Sequence, residues 1–185
     1  TSMTLSEGNL TLANGTNLAA LNTLTRDGGY GATLDMGSNN LTVPNLNVLG
    51  GTITGSGNLT VSNAFTFNKG YITGTGTLTT QVGVATTMTP GFAQTASLRG
   101  SRTWNNSGTV TLTPNPGTLS YFEIDDTLTG GTATFNNLAG GVFNINASFN
   151  DNHTIGVGTF NNYGQINKNL NGTAATSGFL ACEML

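Results

Sequence analysis

A phrase of eleven residues occurs twice in this chain, nineteen positions apart. Residues 51–61 read GTITGSGNLTV and residues 70–80 read GYITGTGTLTT. The match sets Gly51 on Gly70, Ile53 on Ile72, Gly55 on Gly74, Gly57 on Gly76 and Leu59 on Leu78. A second phrase returns as TWNNSGTV from Thr103, TFNNLAGGVF from Thr134 and TFNNYGQI from Thr159. A unit this short cannot bury an apolar face alone, but stacked copies can. A period of about 20 residues filled with strand-forming residues therefore points to a solenoid.

The filling alternates with period 2, the pattern of strands with one buried face. Leu10-Thr11-Leu12, Leu41-Thr42-Val43, Leu59-Thr60-Val61 and Leu78-Thr79-Thr80 read as one recurring strand, led by Asn9, Asn40, Asn58 and Thr77. Thr52-Ile53-Thr54 and Tyr71-Ile72-Thr73 read as another. Phe65 and Phe67 share a face, as do Val110 and Leu112, then Phe143 and Ile145. Trp104 aligns with Phe135 and Phe160, which predicts an internal aromatic stack. Glycines such as Gly55, Gly57, Gly74 and Gly76 punctuate the runs. The pairs Asn105-Asn106, Asn136-Asn137 and Asn161-Asn162 fall where corners are expected, asparagine being the residue after glycine that best tolerates left-handed backbone.

Strand, corner, strand, corner predicts an all-β fold, a right-handed parallel β-helix (β-solenoid) of about 20-residue coils. One domain over 1–185 is expected, with a first sub-array at 1–82 and an irregular insertion or join at 83–102 around Thr89-Pro90-Gly91. A second sub-array follows at 103–170 and a cap or tail at 171–185. Leu18 to Leu24 reads as a turn or two of helix capping the start. A β-sandwich or β-prism is the alternative, which the 19-residue identity disfavours.

Composition narrows the function classes. Charged residues make up 7% of the chain, against ~25% in ordinary globular domains, while 34 Thr, 25 Asn and 27 Gly supply hydroxyls, amides and corners. Net charge is −3, and the cations are Lys69, Lys168, Arg26, Arg99 and Arg102, so no basic patch offers itself to nucleic acid or to an anionic membrane surface. No apolar run approaches the ~18 residues of a membrane span. Cys182 stands alone, which excludes an intramolecular disulfide. This balance suits a protein that is secreted or displayed on the surface of a bacterium.

The glycine-spaced phrase at Gly51 and the aromatic-Asn-Asn-Ser-Gly-Thr-Val-Thr phrase at Trp104 resemble repeats of bacterial surface adhesins of the filamentous-haemagglutinin and autotransporter-passenger type. The resemblance covers most of 1–170 and is weaker at 83–102. It implies a parallel β-helix, secretion, surface display and a role in adhesion or scaffolding.

Candidate sites are few. The densest acidic group is Glu123, Asp125 and Asp126, with Asp151 following 26 residues after Asp125, a spacing compatible with one coil plus a loop. Acids one coil apart can converge on a groove and serve as a polysaccharide-binding site or as an acid/base pair. The plainer reading is a solvated loop after a strand, and Lys168 is the one basic partner in the following repeat. His153 is the sole histidine. A triad of Ser148, His153 and Asp151 lacks a nucleophile elbow, so a loop histidine is expected. Thr-x-Thr units start at Thr52, Thr77, Thr109 and Thr132, with irregular spacings of 25, 32 and 23 residues, which argues against an ice-binding ladder built from them. Asn-x-Thr sequons at Asn9, Asn14, Asn40 and Asn58 arise readily in so Asn- and Thr-rich a chain. Phe179, Leu180, Met184 and Leu185 give the tail an apolar character suited to assembly.

The expectation is a non-enzymatic extracellular structural or adhesive module, with no cofactor and no metal. Its partners would be further copies of itself or a host or matrix glycan or protein. The alternatives are a self-assembling filament or sheath subunit and a polysaccharide-binding module, lyase or hydrolase.

Overall fold

The computed structural model describes residues 1–29, 31–114, 121–125, 132–146 and 158–169. Successive circuits contribute β1 (Ser2–Leu5) and β2 (Asn9–Thr11), β3 (Thr23–Arg26) and β4 (Thr33–Asp35), β5 (Leu41–Val48) and β6 (Thr52–Thr54), then β7 (Leu59–Phe67) and β8 (Gly70–Ile72). The next circuits hold β9 (Thr77–Thr80), β10 (Ala85–Met88) and β11 (Thr95–Arg99), then β12 (Thr103–Asn106), β13 (Thr109–Leu112) and β14 (Tyr121–Asp125). β15 (Thr134–Asn137), β16 (Val142–Ile145), β17 (Thr159–Asn162) and β18 (Gln165–Lys168) complete the described strands. The pairings are parallel and link one circuit to the next, which makes the fold a parallel β-solenoid.

Three faces result. Face A stacks the start of β5 and of β7 with β9, β12, β15 and β17. Face B stacks β1, β3, the ends of β5 and β7, β10, β13, β16 and β18. Face C stacks β2, β4, β6, β8, β11 and β14. Faces A and B join into one sheet because β5 and β7 pass through their shared corner as continuous strands, with a register shift between Val43 and Asn45. Residues 83–102 hold β10 and β11, each paired with the coil before it and the coil after it.

The 19-residue phrase is one circuit of this path. Thr52 pairs with Tyr71 and Ile53 with Ile72. Gly74 sits at φ 99°, and a Cβ there would fall on the carbonyl oxygen of Gly55 one coil below. Backbone stacks on backbone at this corner, so the repeat demands glycine in both copies.

Inward positions form columns. On face C the column runs Leu10, Leu34, Ile53, Ile72, Leu98, Ile124. On face A it runs Leu41, Leu59, Leu78, Trp104, Phe135, Phe160, all buried. The aromatic stack expected from the alignment is present, with ring centroids 4.9 Å apart for Trp104–Phe135 and 4.9 Å for Phe135–Phe160. Burying each such side chain is worth about 1.5–3 kcal/mol.

Three local expectations are corrected. Leu10-Thr11-Leu12 does not belong to the Leu41, Leu59, Leu78 column: β2 lies on face C and pairs with β4. The leading asparagines nonetheless share a task, since Asn9 Oδ1 accepts the Thr33 N–H, Asn40 Oδ1 that of Asn58, and Asn58 Oδ1 that of Thr77. Residues 18–22 make no helix; Leu21 N–H turns back to Leu18 O and β3 begins at Thr23. The asparagine pairs do not occupy left-handed backbone, for Ala93 is the one non-glycine residue at positive φ among the described residues. The second asparagine of each pair instead turns inward at the A/B corner. Asn106 Nδ2 donates to Asn137 Oδ1 (2.9 Å), and Asn137 Nδ2 donates to Asn162 Oδ1 (2.8 Å). Thr80 Oγ1 starts this ladder, donating to Asn106 Oδ1 (2.8 Å) and accepting the Trp104 indole N–H (3.1 Å).

Two arginines also lie inside. Arg102 is fully buried and donates to the carbonyls of Gly55, Gly57, Thr73 and Thr77 at 2.8–3.3 Å. Burial lowers its pKa to about 10. Arg26 is equally buried at the corner between faces B and C, where Nη1 donates to the carbonyls of Leu5 and Asp27. Its Nε and Nη2 have no hydrogen-bond partner among the described residues, and burial lowers its pKa, with Asp27 opposing the shift.

Candidate functional site

Among the described residues, the strands of face C carry Asp35, Arg99 and Glu123. The register of β8, β11 and β14 sets Tyr71, Ser97 and Glu123 in one outward column and places Arg99 opposite Asp125 in the next. Arg99 Nη2 lies 3.2 Å from Glu123 Oε2, and Ser97 Oγ donates to the same oxygen at 2.9 Å. The Arg99 guanidinium carbon stands 4.1 Å from the centroid of the Tyr71 ring. Ser97 is buried although its strand position faces outward, because these larger neighbours roof it.

This geometry gives Glu123 a defined partner. Its carboxylate is neutralised by a guanidinium and accepts a hydroxyl hydrogen bond, and the side chains of Arg99 and Glu123 are 17% and 28% exposed. A half-exposed pair of this kind braces neighbouring coils and contributes at most about 1 kcal/mol. The cation–π contact adds on the order of 0.5–1 kcal/mol. Asp125 reaches the same face through its strand, and its side chain lies outside the described set. Asp126 and Asp151 lie outside the described residues, as do Ser148 and His153 and the tail residues Phe179, Leu180, Met184 and Leu185. Lys168 ends β18 on face B, exposed and remote in register from β14. Among the described residues no three His, Cys, Asp or Glu side chains gather as a metal site, and no helix is long and apolar enough to cross a membrane.

The outward positions of faces A and B are of another kind. On face A, Thr77, Thr103, Thr134 and Thr159 stack in register, and beside them Thr79, Asn105, Asn136 and Asn161. Asn136 Nδ2 donates to Asn105 Oδ1 (2.8 Å), and Asn161 Nδ2 to Asn136 Oδ1 (2.9 Å). On face B the column through Asn144 is tied likewise, to Thr111 Oγ1 at 3.4 Å and to Asn167 at 2.9 Å. These ladders were not anticipated from the sequence. The signal was there in the second phrase, where Asn-Asn recurs at a fixed place in each copy. The Thr-x-Thr units themselves scatter: Thr52 is on face C, Thr77 on face A and Thr109 on face B. A groove of about 410 Å³ opens beside face A where residues 16–19 pass Asn40, Leu41, Thr42, Pro44 and Ser62.

No family model, no curated protein and no solved structure matches the chain.

Proposed function

We propose that this protein is a non-enzymatic extracellular structural or adhesive rod, displayed at or released from a bacterial surface. The observation that carries the reading is the repetition of outward threonine and asparagine columns whose side chains hydrogen-bond from coil to coil on faces A and B. Such a surface repeats one chemistry along the rod instead of converging several groups on a point, which is what a scaffold or an extended contact surface requires. The paired state of Glu123 supports the same reading, since its nearest cation is already engaged. The repeat resemblance to surface adhesins agrees with it. The test is to incubate the purified chain with a panel of matrix proteins and polysaccharides, following retention and sugar release together. Retention without new reducing ends or unsaturated products is the expected result. Turnover of any polysaccharide overturns it in favour of an enzyme.

A second reading, a self-assembling filament or sheath subunit, rests on the parallel stacking itself: each rung pairs edge to edge with the next, and the same kind of edge is a template for a strand of another copy. Negative-stain images across a concentration series decide it: long regular filaments support assembly, and discrete short rods at every concentration remove it.

A further inference from the structure

We propose that the outward surface of face B binds ice. From β3 to β16 every outward position on this face is small, uncharged and non-aromatic. The central column runs Thr25, Asn47, Thr66, Thr87, Thr111, Asn144 without interruption. Parallel rungs lie ~4.8 Å apart and alternate residues along a strand ~6.6 Å apart, so hydroxyls, methyls and amides repeat on a two-dimensional grid. The six strands from β3 to β16 carry it, which makes the uncharged grid about 24 Å long. The rung repeat of ~4.8 Å is close to the shorter repeat of water oxygens in hexagonal ice.

Three features select this ligand over others. With no charge on the grid, there is nothing to pair with a phosphate or an acidic chain. Sugar rings have no aromatic platform among these outward strand positions. The side chains are also held before any ligand arrives: Asn47 Nδ2 donates to Thr25 Oγ1 (3.2 Å) and Asn167 Nδ2 to Asn144 Oδ1 (2.9 Å). Fixing them beforehand lowers the entropic cost of meeting a rigid lattice. The irregular spacing of the Thr-x-Thr units in sequence does not bear on this face, because turns of different length absorb it and β10, β13 and β16 remain in register. The proposal needs only the face, and it stands whether or not the rod is displayed on a cell.

The experiment measures thermal hysteresis and incorporation into slowly growing ice for the full chain, for Thr87→Arg on face B and for Thr52→Arg on face C. Thr87 is exposed, so the arginine stays in solvent; a circular-dichroism melt checks that both variants fold. Hysteresis in the native chain, lost in Thr87→Arg and kept in Thr52→Arg, is the expected result. No hysteresis and no incorporation of the native chain overturns the proposal, as does equal activity in both variants. Retention of the chain on insoluble cellulose or chitin, with exclusion from ice, overturns it in favour of a solid polysaccharide.

Discussion

The coils built on β5 and β7 and those built on β12, β15 and β17 follow the same circuit but fill the A/B corner in opposite ways. In the earlier coils Val43 and Val61 point inward at that corner, the strand runs through it, and a bulge at Val43/Asn45 supplies the bend. In the later coils the strand stops, and Asn106, Asn137 and Asn162 take the inward place. The change happens in one step, where Val61 pairs with Thr80 and Thr80 with Asn106. An aliphatic column is non-directional and tolerates a slide; an amide ladder has a donor and an acceptor on each rung and fixes register. The face A column changes with the corner, from Leu59 and Leu78 to Trp104 and Phe135, and the indole N–H is satisfied by the first member of the ladder. The lesson is that one backbone path carries two cores, one held mainly by area and one by area plus directed bonds.

The sharpest way to break the comparison is Asn137→Asp. The shape is kept, but the donating amide is replaced by an acceptor facing Asn162 Oδ1, the Gln165 carbonyl (3.1 Å) and the Gly141 carbonyl (3.3 Å). Destabilisation of roughly 4 kcal/mol is expected at neutral pH, the scale of an uncompensated buried charge. Burial raises the pKa of the new carboxylate above its unfolded value, so the loss shrinks as pH falls towards about 4. Urea melts at two pH values check both the size and the sign. A loss under about 1 kcal/mol would show that the ladder is incidental.

Gly74→Ala tests the earlier half, at the face C corner where coils stack backbone on backbone. The residue must keep φ near 99° and place its Cβ on the Gly55 carbonyl. The expected loss is roughly 3 kcal/mol from conformational strain and overlap together. Gly83→Ala makes the control, since a Cβ there meets nothing within 4 Å although φ is 85°. Strain alone then costs about 1–2 kcal/mol.

The buried arginines sharpen the difference between satisfied and unsatisfied polar groups. Arg102→Leu strips donors from four carbonyls and is expected to cost roughly 2 kcal/mol. Arg26→Leu removes two donors that have no partner among the described residues, which offsets the loss of its bonds to the Leu5 and Asp27 carbonyls, and the change is expected to be neutral within about 1 kcal/mol. The pH dependence carries a second signature. With its folded pKa lowered to about 10, Arg102 penalises the folded state below that pH. From about pH 10 up to the ordinary guanidinium range the unfolded chain binds more protons at this group, so its contribution to stability rises with pH. The gap between the native chain and Arg102→Leu therefore widens on the alkaline side.

The fold was legible because the inward positions announce themselves. Ile53 over Ile72 and Trp104 over Phe135 are apolar at a constant place in each copy, and period 2 assigns them to one face. Around Thr86, where the inward residue of β10 is a threonine, that signal fades, and the stretch 83–102 reads as irregular although its strands pair in register. The asparagine ladder was legible as position but not as chemistry. Asparagine at a corner suggests left-handed backbone, and only the stacking of one coil on the next shows the amide turned inward to bond. The burial of Arg26 and Arg102 is hidden for the same reason: nothing local to either residue says that the carbonyls of other coils will surround it. At the acidic cluster the sequence reads as a solvated loop after a strand, whereas Glu123 lies within β14; Arg99, 24 residues earlier, meets it only through the pairing of β11 with β14.

The smallest effect belongs to that cluster, and it separates a brace from a site. Glu123→Gln keeps the Ser97 hydroxyl bonded through the amide oxygen and removes the charge that faces Arg99. For a partly exposed pair the expected loss of stability is about 0.5 kcal/mol, and it should fade in high salt because screening weakens the ion pair of the native chain, which the variant lacks. Arg99 retains its contact with the Tyr71 ring, 4.1 Å from the centroid, so it stays over face C. Polysaccharide retention, where the native chain shows it, is expected to be unchanged in the variant. A several-fold fall in retention with an unchanged melting point would move Glu123 from bracing the rod to binding its partner, and would make face C the contact surface in place of the amide and hydroxyl ladders of faces A and B.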